Sequence, residues 1–64
     1  MNAKKIKDVR EAKGISGKEL AETVGVTPSA ITYYEQGLRN PTLETLGRIA
    51  DALGVDHSDL ISKD

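Results

Sequence analysis

Hydrophobic residues recur at helical spacing along the whole chain, and glycines or capping residues break the pattern repeatedly. Ile6 and Val9 lie three apart, followed by Ala12 and the stem of Lys13. That stripe predicts a first helix over about 4–13, stopped by Gly14, since a left-handed closing residue costs least as glycine. Ser16-Gly17-Lys18-Glu19 has the form of a capping box, in which the Ser16 hydroxyl accepts from the Glu19 amide and Glu19 reaches back. Leu20, Ala21 and Val24 then share a face, so a second helix is expected over 17–24, with Gly25 as its stop. Thr27 suits the cap of a third helix, 28–36. Pro28 stands at its first position, where a missing N–H is harmless and the fixed φ fits. Ile31 and Tyr34 mark its inner side and Gly37 closes it. Asn40-Pro41-Thr42 turns into the strongest amphipathic stretch, Leu43, Leu46, Ile49, Ala50 and Leu53, which predicts a helix over 43–53 ended by Gly54. Asp56 and Asp59 can cap a short last helix, 57–62, carrying Leu60 and Ile61. Strand-like alternation never persists. The expectation is an all-α chain of five helices joined by short loops, with no repeat or linker, forming one domain over 1–64.

Composition narrows the chemistry. Hydrophobic residues make up 38% of the 64, with two Tyr and no Phe or Trp, so the core must be aliphatic. Cysteine is absent, which removes disulfides, thiolate zinc sites and thiol catalysis. The lone His57 has no second His or Cys to complete a metal site and reads as a surface histidine. Nothing assembles a nucleophile–base constellation, so an enzyme is not expected, and neither cofactor, metal nor small-molecule ligand is implied. No apolar run approaches membrane-spanning length, and Met1 to Lys5 lacks the apolar stretch of a signal peptide; a cytoplasmic location and no membrane partner follow as expectations.

The net charge of −1 announces no polyanionic partner, but its distribution is uneven. Lys4, Lys5, Lys7, Arg10 and Lys13 against Asp8 and Glu11 make the first segment basic. Lys63 against Asp51, Asp56, Asp59 and Asp64 makes the last one acidic. That asymmetry permits a field directed at a polyanion from one face. Charges simply solvated on helix surfaces would read the same way.

The informative stretch is 17–36. Only Gly25-Val26 and the Thr27 cap separate its two helices, and so tight a turn with glycine first makes them cross steeply, as in a helix-turn-helix. Ala21 should lie under the following helix, its small side chain letting the axes approach. Leu20, Val24, Val26, Ile31 and Tyr34 seal the corner. Pro28, Ser29, Thr32, Tyr33 and Gln36 are then left pointing outward.

Together with Gly14-Ile15-Ser16, Leu20-Ala21, Val24-Gly25-Val26-Thr27, Ile31, Glu35-Gln36-Gly37, Arg39 to Leu46 and Ile49 to Val55, these residues resemble the lambda-repressor/Cro type of helix-turn-helix domain, often called the Xre family. The resemblance covers Ile6 to Ile61 and implies a compact five-helix domain that binds double-stranded DNA. It further implies a transcriptional regulator, commonly a repressor, acting as a homodimer on a palindromic operator. In that family the third helix enters the major groove, which assigns base readout to Pro28, Ser29, Thr32 and Tyr33, with Gln36 one turn beyond Thr32. None of the first four makes a bidentate base contact. Two hydroxyls and the apolar surfaces of Pro28, Thr32 and Tyr33 suit thymine methyls and DNA shape. The Tyr33 ring could equally lie along its own helix.

Phosphate contacts carried over from the family fall on Arg39 and Asn40, and on the helix starts at Ser16, Gly17, Lys18 and Thr42. Gly17 stands where the family usually has a phosphate-anchoring Gln, so only its backbone amide is available. Lys18, or Lys4, Lys5 or Lys7, can compensate. The resemblance places the dimer contact between the fourth and fifth helices, at Val55, Asp56 and His57, with Leu60; Val55 and Leu60 also read as core positions. The alternative to DNA binding is a protein-interaction module on the same fold. The lost Gln, the absence of Arg from the reading face and the acidic total speak for it. Arg39-Asn40, the basic first segment and a Ser/Thr-rich third helix speak against it.

Overall fold

The computed structural model describes residues 3–61, which contain five helices: α1 Ala3–Ala12, α2 Gly17–Val24, α3 Pro28–Glu35, α4 Leu43–Leu53 and α5 His57–Ile61. Residue 62, expected at the end of α5, lies outside the described residues. The predicted boundaries otherwise differ from the observed ones by a residue at the start of α1, which begins at Ala3, and at the ends of α1 and α3, where Lys13 and Gln36 follow the last helical turn.

The capping chemistry is local and forms as the sequence specifies. Ser16 Oγ accepts from the Glu19 amide at 3.0 Å while the Ser16 amide donates to Glu19 Oε1 at 3.1 Å, completing the box. Thr27 Oγ1 accepts from Ala30 N at 3.1 Å and Thr42 Oγ1 from Thr45 N at 3.1 Å. At the far end of α2, Gly25 turns left-handed at φ 87°, which lets Val26 N donate back to Ala21 O at 3.0 Å. The same closure recurs after α1, where Ile15 N donates to Arg10 O, and after α4, where Val55 N donates to Ala50 O. In all three cases the apolar residue after the glycine packs against the core.

That core contains Ile6, Leu20, Ala21, Val24, Ile31, Leu46, Ile49, Ala50, Leu53 and Leu60, with no buried polar side chain among the described residues. α3 packs on α2 and α1, α4 packs on α2 and α5, and α1 closes against α5. Each helix therefore buries one stripe against two others, as a small all-α domain requires.

Two expectations about faces are corrected. Ala12 and Lys13 are exposed, and the half-buried residue that follows Ile6 and Val9 in α1 is Arg10. Arg10 sits four positions after Ile6, one turn on along the same face, whereas Lys13 lies beyond the helix. The spacing sets Leu43 on the apolar face of α4, yet it is 83% exposed. A helical side chain leans toward its helix's N-terminus, so Leu43 at the first position projects past the core that Leu46, Ile49, Ala50 and Leu53 fill.

Gly47 sits inside α4, where glycine costs about 1 kcal/mol relative to alanine. Its φ is not among the positive ones, and a methyl group placed there would meet no atom within 4 Å. Nothing in the chain's own packing requires a glycine at that position.

Candidate nucleic-acid interface

α2 holds α3 in place. Ala21 is fully buried on α2, which packs on α3, and the three-residue connection Gly25-Val26-Thr27 leaves no slack between the helices. With Ile31 buried and Tyr34 half-buried against the core, Pro28, Ser29, Thr32, Tyr33 and Gln36 all fall on the exposed side, as the sequence predicts. Thr32 Oγ1 donates to Pro28 O at 3.2 Å. Its proton is spent on its own helix, which leaves the hydroxyl as an acceptor and the methyl group outward. Tyr33 keeps 43% of its surface exposed, and its carbonyl accepts from Leu38 N at 2.9 Å and Arg39 N at 3.4 Å. The backbone of one outward-facing residue thus anchors the loop that carries Arg39 and Asn40, both exposed.

The helix starts assigned to phosphate differ in electrostatics. In α2 the box uses the Glu19 amide and brings the Glu19 carboxylate to the helix N-terminus. The Gly17 and Lys18 amides have no acceptor among the described residues, and a phosphate approaching them would meet that carboxylate. Lys18 is exposed beside it. In α4, Thr42 Oγ1 donates to Thr45 Oγ1 at 3.0 Å as well as accepting from its amide, and Glu44 is drawn to Arg48 at 3.4 Å.

One interaction escapes the motif reading. Arg10 Nε donates to Glu35 Oε2 at 2.7 Å, its Nη2 to Glu35 Oε1 at 3.3 Å, and its Nη1 to Ile15 O at 2.8 Å. The side chains are only 13% and 10% exposed. Arg10 therefore ties α1 to the last residue of α3 and to the turn just before the α2 cap, so the two helix ends that frame the reading face share one clamp. The hydrogen bond to Glu35, its charge and that of Glu11 raise the guanidinium above its ordinary value despite burial. A periodic signal existed: Arg10 is four after Ile6 and Glu35 four after Ile31, each one turn along a buried face.

The dimer assignment is corrected in part. Of the four residues, Leu60 is fully buried and Val55 packs against the core as the closing residue of α4, which leaves Asp56 and His57 exposed. The large exposed apolar residues among those described stand elsewhere: Tyr33, Leu38 at 68% and Leu43 at 83%. Leu38 departs from the pattern of the other helix ends. It follows Gly37, whose φ is 74°, yet it projects outward where Ile15, Val26 and Val55 turn in.

A helix-turn-helix family model matches residues 6–60, and the chain belongs to that family, in its lambda-repressor type. It is 34% identical over 62 residues to RstR, a cryptic phage CTXphi transcriptional repressor of Vibrio cholerae, covering 97% of this chain and 56% of that one. The chain thus spans little more than half of that relative's length. An uncharacterized helix-turn-helix transcriptional regulator of Methanothermobacter thermautotrophicus is 44% identical over 52 residues, 81% of this chain and 75% of its own. Among solved structures, SinR, a master regulator for biofilm formation, in complex with DNA, superposes with a TM-score of 0.89 at 35% identity. That match covers 97% of this chain and all of the other. The family and these relatives are regulators of transcription, not enzymes. Among the described residues no helix is long and apolar enough to cross a membrane.

Proposed function

We propose that this chain binds duplex DNA as a transcriptional regulator, with the outward face of α3 in the major groove, and that it acts as a repressor on a palindromic operator bound by two copies. The observation that carries the reading is the division of α3. Ile31 and Tyr34 are committed to the core, whereas Pro28, Ser29, Thr32 and Tyr33 stay exposed beside Arg39 and Asn40. The solved DNA complex of the similar SinR supports it. Ser29, Thr32 as an acceptor and the apolar Pro28 and Tyr33 select for thymine methyls and groove shape more than for guanine, because no Arg or Lys stands among them. Arg39, Asn40 and the amides at the start of α4, capped by Thr42, hold the backbone and set the register, while at the start of α2 the Lys18 charge offsets the Glu19 carboxylate beside the Gly17 and Lys18 amides.

Selection of bound sequences from a random duplex library at low salt tests this reading. An inverted repeat with half-sites about one helical turn apart is the expected product. Recovery of no sequence by a folded sample would instead favour the protein-partner alternative, for which the exposed Leu38 and Leu43 and the net charge of −1 speak.

Two variants separate the contacts. Arg39→Ala is expected to weaken binding to all sequences alike and to reduce the slope of log affinity against log salt by about 0.9. Loss confined to one sequence would make Arg39 a base reader. Thr32→Ala combined with Tyr33→Ala is expected to cut the preference for the selected site over random duplex at least about tenfold, at a cost per contact of about 1–3 kcal/mol. Competition titration measures it, and an unchanged preference would remove readout from α3.

A further inference from the structure

We propose that Leu38 is a specificity-determining residue, which with Tyr33 forms an apolar pair that takes the 5-methyl group of a pyrimidine in the major groove. The inference rests on the reading of α3 as the helix that meets DNA, and it carries that face past the helix end. Its starting point is the closure of α3. Gly37 is left-handed at φ 74°, Gly37 N donates to Tyr34 O at 3.2 Å, and Leu38 N donates to Tyr33 O at 2.9 Å. A closure of this form commonly brings the residue after the glycine against the residue whose carbonyl it binds. The three other glycine closures obey that rule. Ile15 goes with Arg10, Val26 with Ala21 and Val55 with Ala50, and both members of each pair lie against the interior. In α3 the partner is Tyr33, which faces outward, so Leu38 goes outward with it, the two being 68% and 43% exposed.

What the pair receives follows from its chemistry. An aliphatic side chain beside a phenol ring offers nothing to a phosphate or to the acceptors of a guanine. The apolar group that base pairs present in the major groove is the 5-methyl of thymine, and a cytosine presents it only when methylated. Thr32 adds its own methyl group to the same face, because its hydroxyl proton is committed to Pro28 O. Arg39 and Asn40 follow Leu38 directly and are exposed, so a phosphate held by them brings the pair down onto the neighbouring base edges. A chain that needed only backbone affinity at this position would gain more from a cation, particularly with a net charge of −1. Leucine forgoes that gain and supplies apolar surface at the rim of the reading face.

Competition titration on the duplex recovered by library selection tests this, with its thymines replaced one at a time by deoxyuridine. That replacement removes the methyl group and keeps every hydrogen bond of the base pair. A loss of about fourfold is expected at a thymine of the half-site, the worth of one buried methyl group. Leu38→Ala should weaken binding to the intact duplex by a similar factor and leave affinity for random duplex within about twofold. In that variant deoxyuridine at the same thymine should cost no more than about 1.5-fold, since the methyl group has lost its partner. With cytosine in place of that thymine, 5-methylation should recover about threefold for the wild type and nothing for Leu38→Ala. Leu38→Lys should bind random duplex more tightly, with a salt slope steeper by about 0.9, while losing the dependence on the methyl group. Circular dichroism melting within about 3 °C of the wild type verifies that each variant is folded. A deoxyuridine penalty undiminished in Leu38→Ala, or a Leu38→Ala loss equal on all duplexes, would overturn the proposal and leave the reading of α3 standing. A folded wild type that selects no duplex would overturn that reading and the proposal with it.

Discussion

Glu35→Ala is expected to destabilise the domain by about 2–3 kcal/mol, because it leaves a mostly buried guanidinium without its carboxylate. Arg10 keeps the bond to Ile15 O but loses the two to Glu35, at 2.7 and 3.3 Å. It cannot escape by deprotonating. Its pKa is raised, chiefly by the hydrogen bond to Glu35, so on the alkaline side its contribution to stability is lost only as pH climbs through the folded-state value, and it is present below that wherever the Glu35 carboxylate is ionised. No change from the titration of Arg10 itself is therefore expected between acid and mildly alkaline pH. A domain of this size holds only about 3–5 kcal/mol in reserve, and the loss should lower the melting temperature by roughly 10–20 °C. Replacing both partners, Arg10→Met with Glu35→Leu, should recover most of it, since two apolar groups leave no orphaned charge. Urea titration of the two single variants and the double measures the coupling. A cost below about 0.5 kcal/mol for Glu35→Ala would place the pair with ordinary surface ion pairs.

The second large effect is expected at Ala21, a fully buried position of α2, the helix that packs on α3. Ala21→Leu adds three carbons at a position that is fully buried, and the helices must separate or the side chain must leave its rotamer. The expected cost is about 2–3 kcal/mol. Ala21→Gly, which keeps the close approach and loses only helix propensity, should cost about 1 kcal/mol. The order of the two decides the mechanism: if glycine were the worse substitution, helix propensity and not close packing would explain the alanine. Duplex binding at a temperature where Ala21→Leu remains folded should also fall, because a displaced α3 no longer presents its outward face together with Arg39 and Asn40.

Much of the architecture is legible in the chain itself because its signals are local. Ser16, Thr27 and Thr42 act on amides three residues ahead, and Gly25 closes its helix on a carbonyl four and five residues back. Such bonds span a single turn, so the residues that make them lie side by side in sequence. The outward set Pro28, Ser29, Thr32, Tyr33 and Gln36 follows from the same periodicity once Ile31 and Tyr34 are assigned inward.

Tertiary structure decided what depends on partners distant in sequence. The clamp between Arg10 and Glu35 joins residues 25 apart, and neither charge declares from its own neighbourhood that the other will neutralise it. Leu60 and Val55 read as core positions, although the family resemblance also places them at a contact, and it is the closure of α5 against α1 and α4 that buries the one and packs the other. Leu43 satisfies the spacing of α4 but falls beyond the edge of what α2 and α5 cover, and periodicity carries no information about where a neighbouring helix ends. The five helices, their ends to within a residue and the face that α3 turns to solvent all follow from interactions within one or two turns. Which of the apolar and charged residues are covered was decided by the packing of the helices, because burial belongs to the assembled surfaces and not to any one segment.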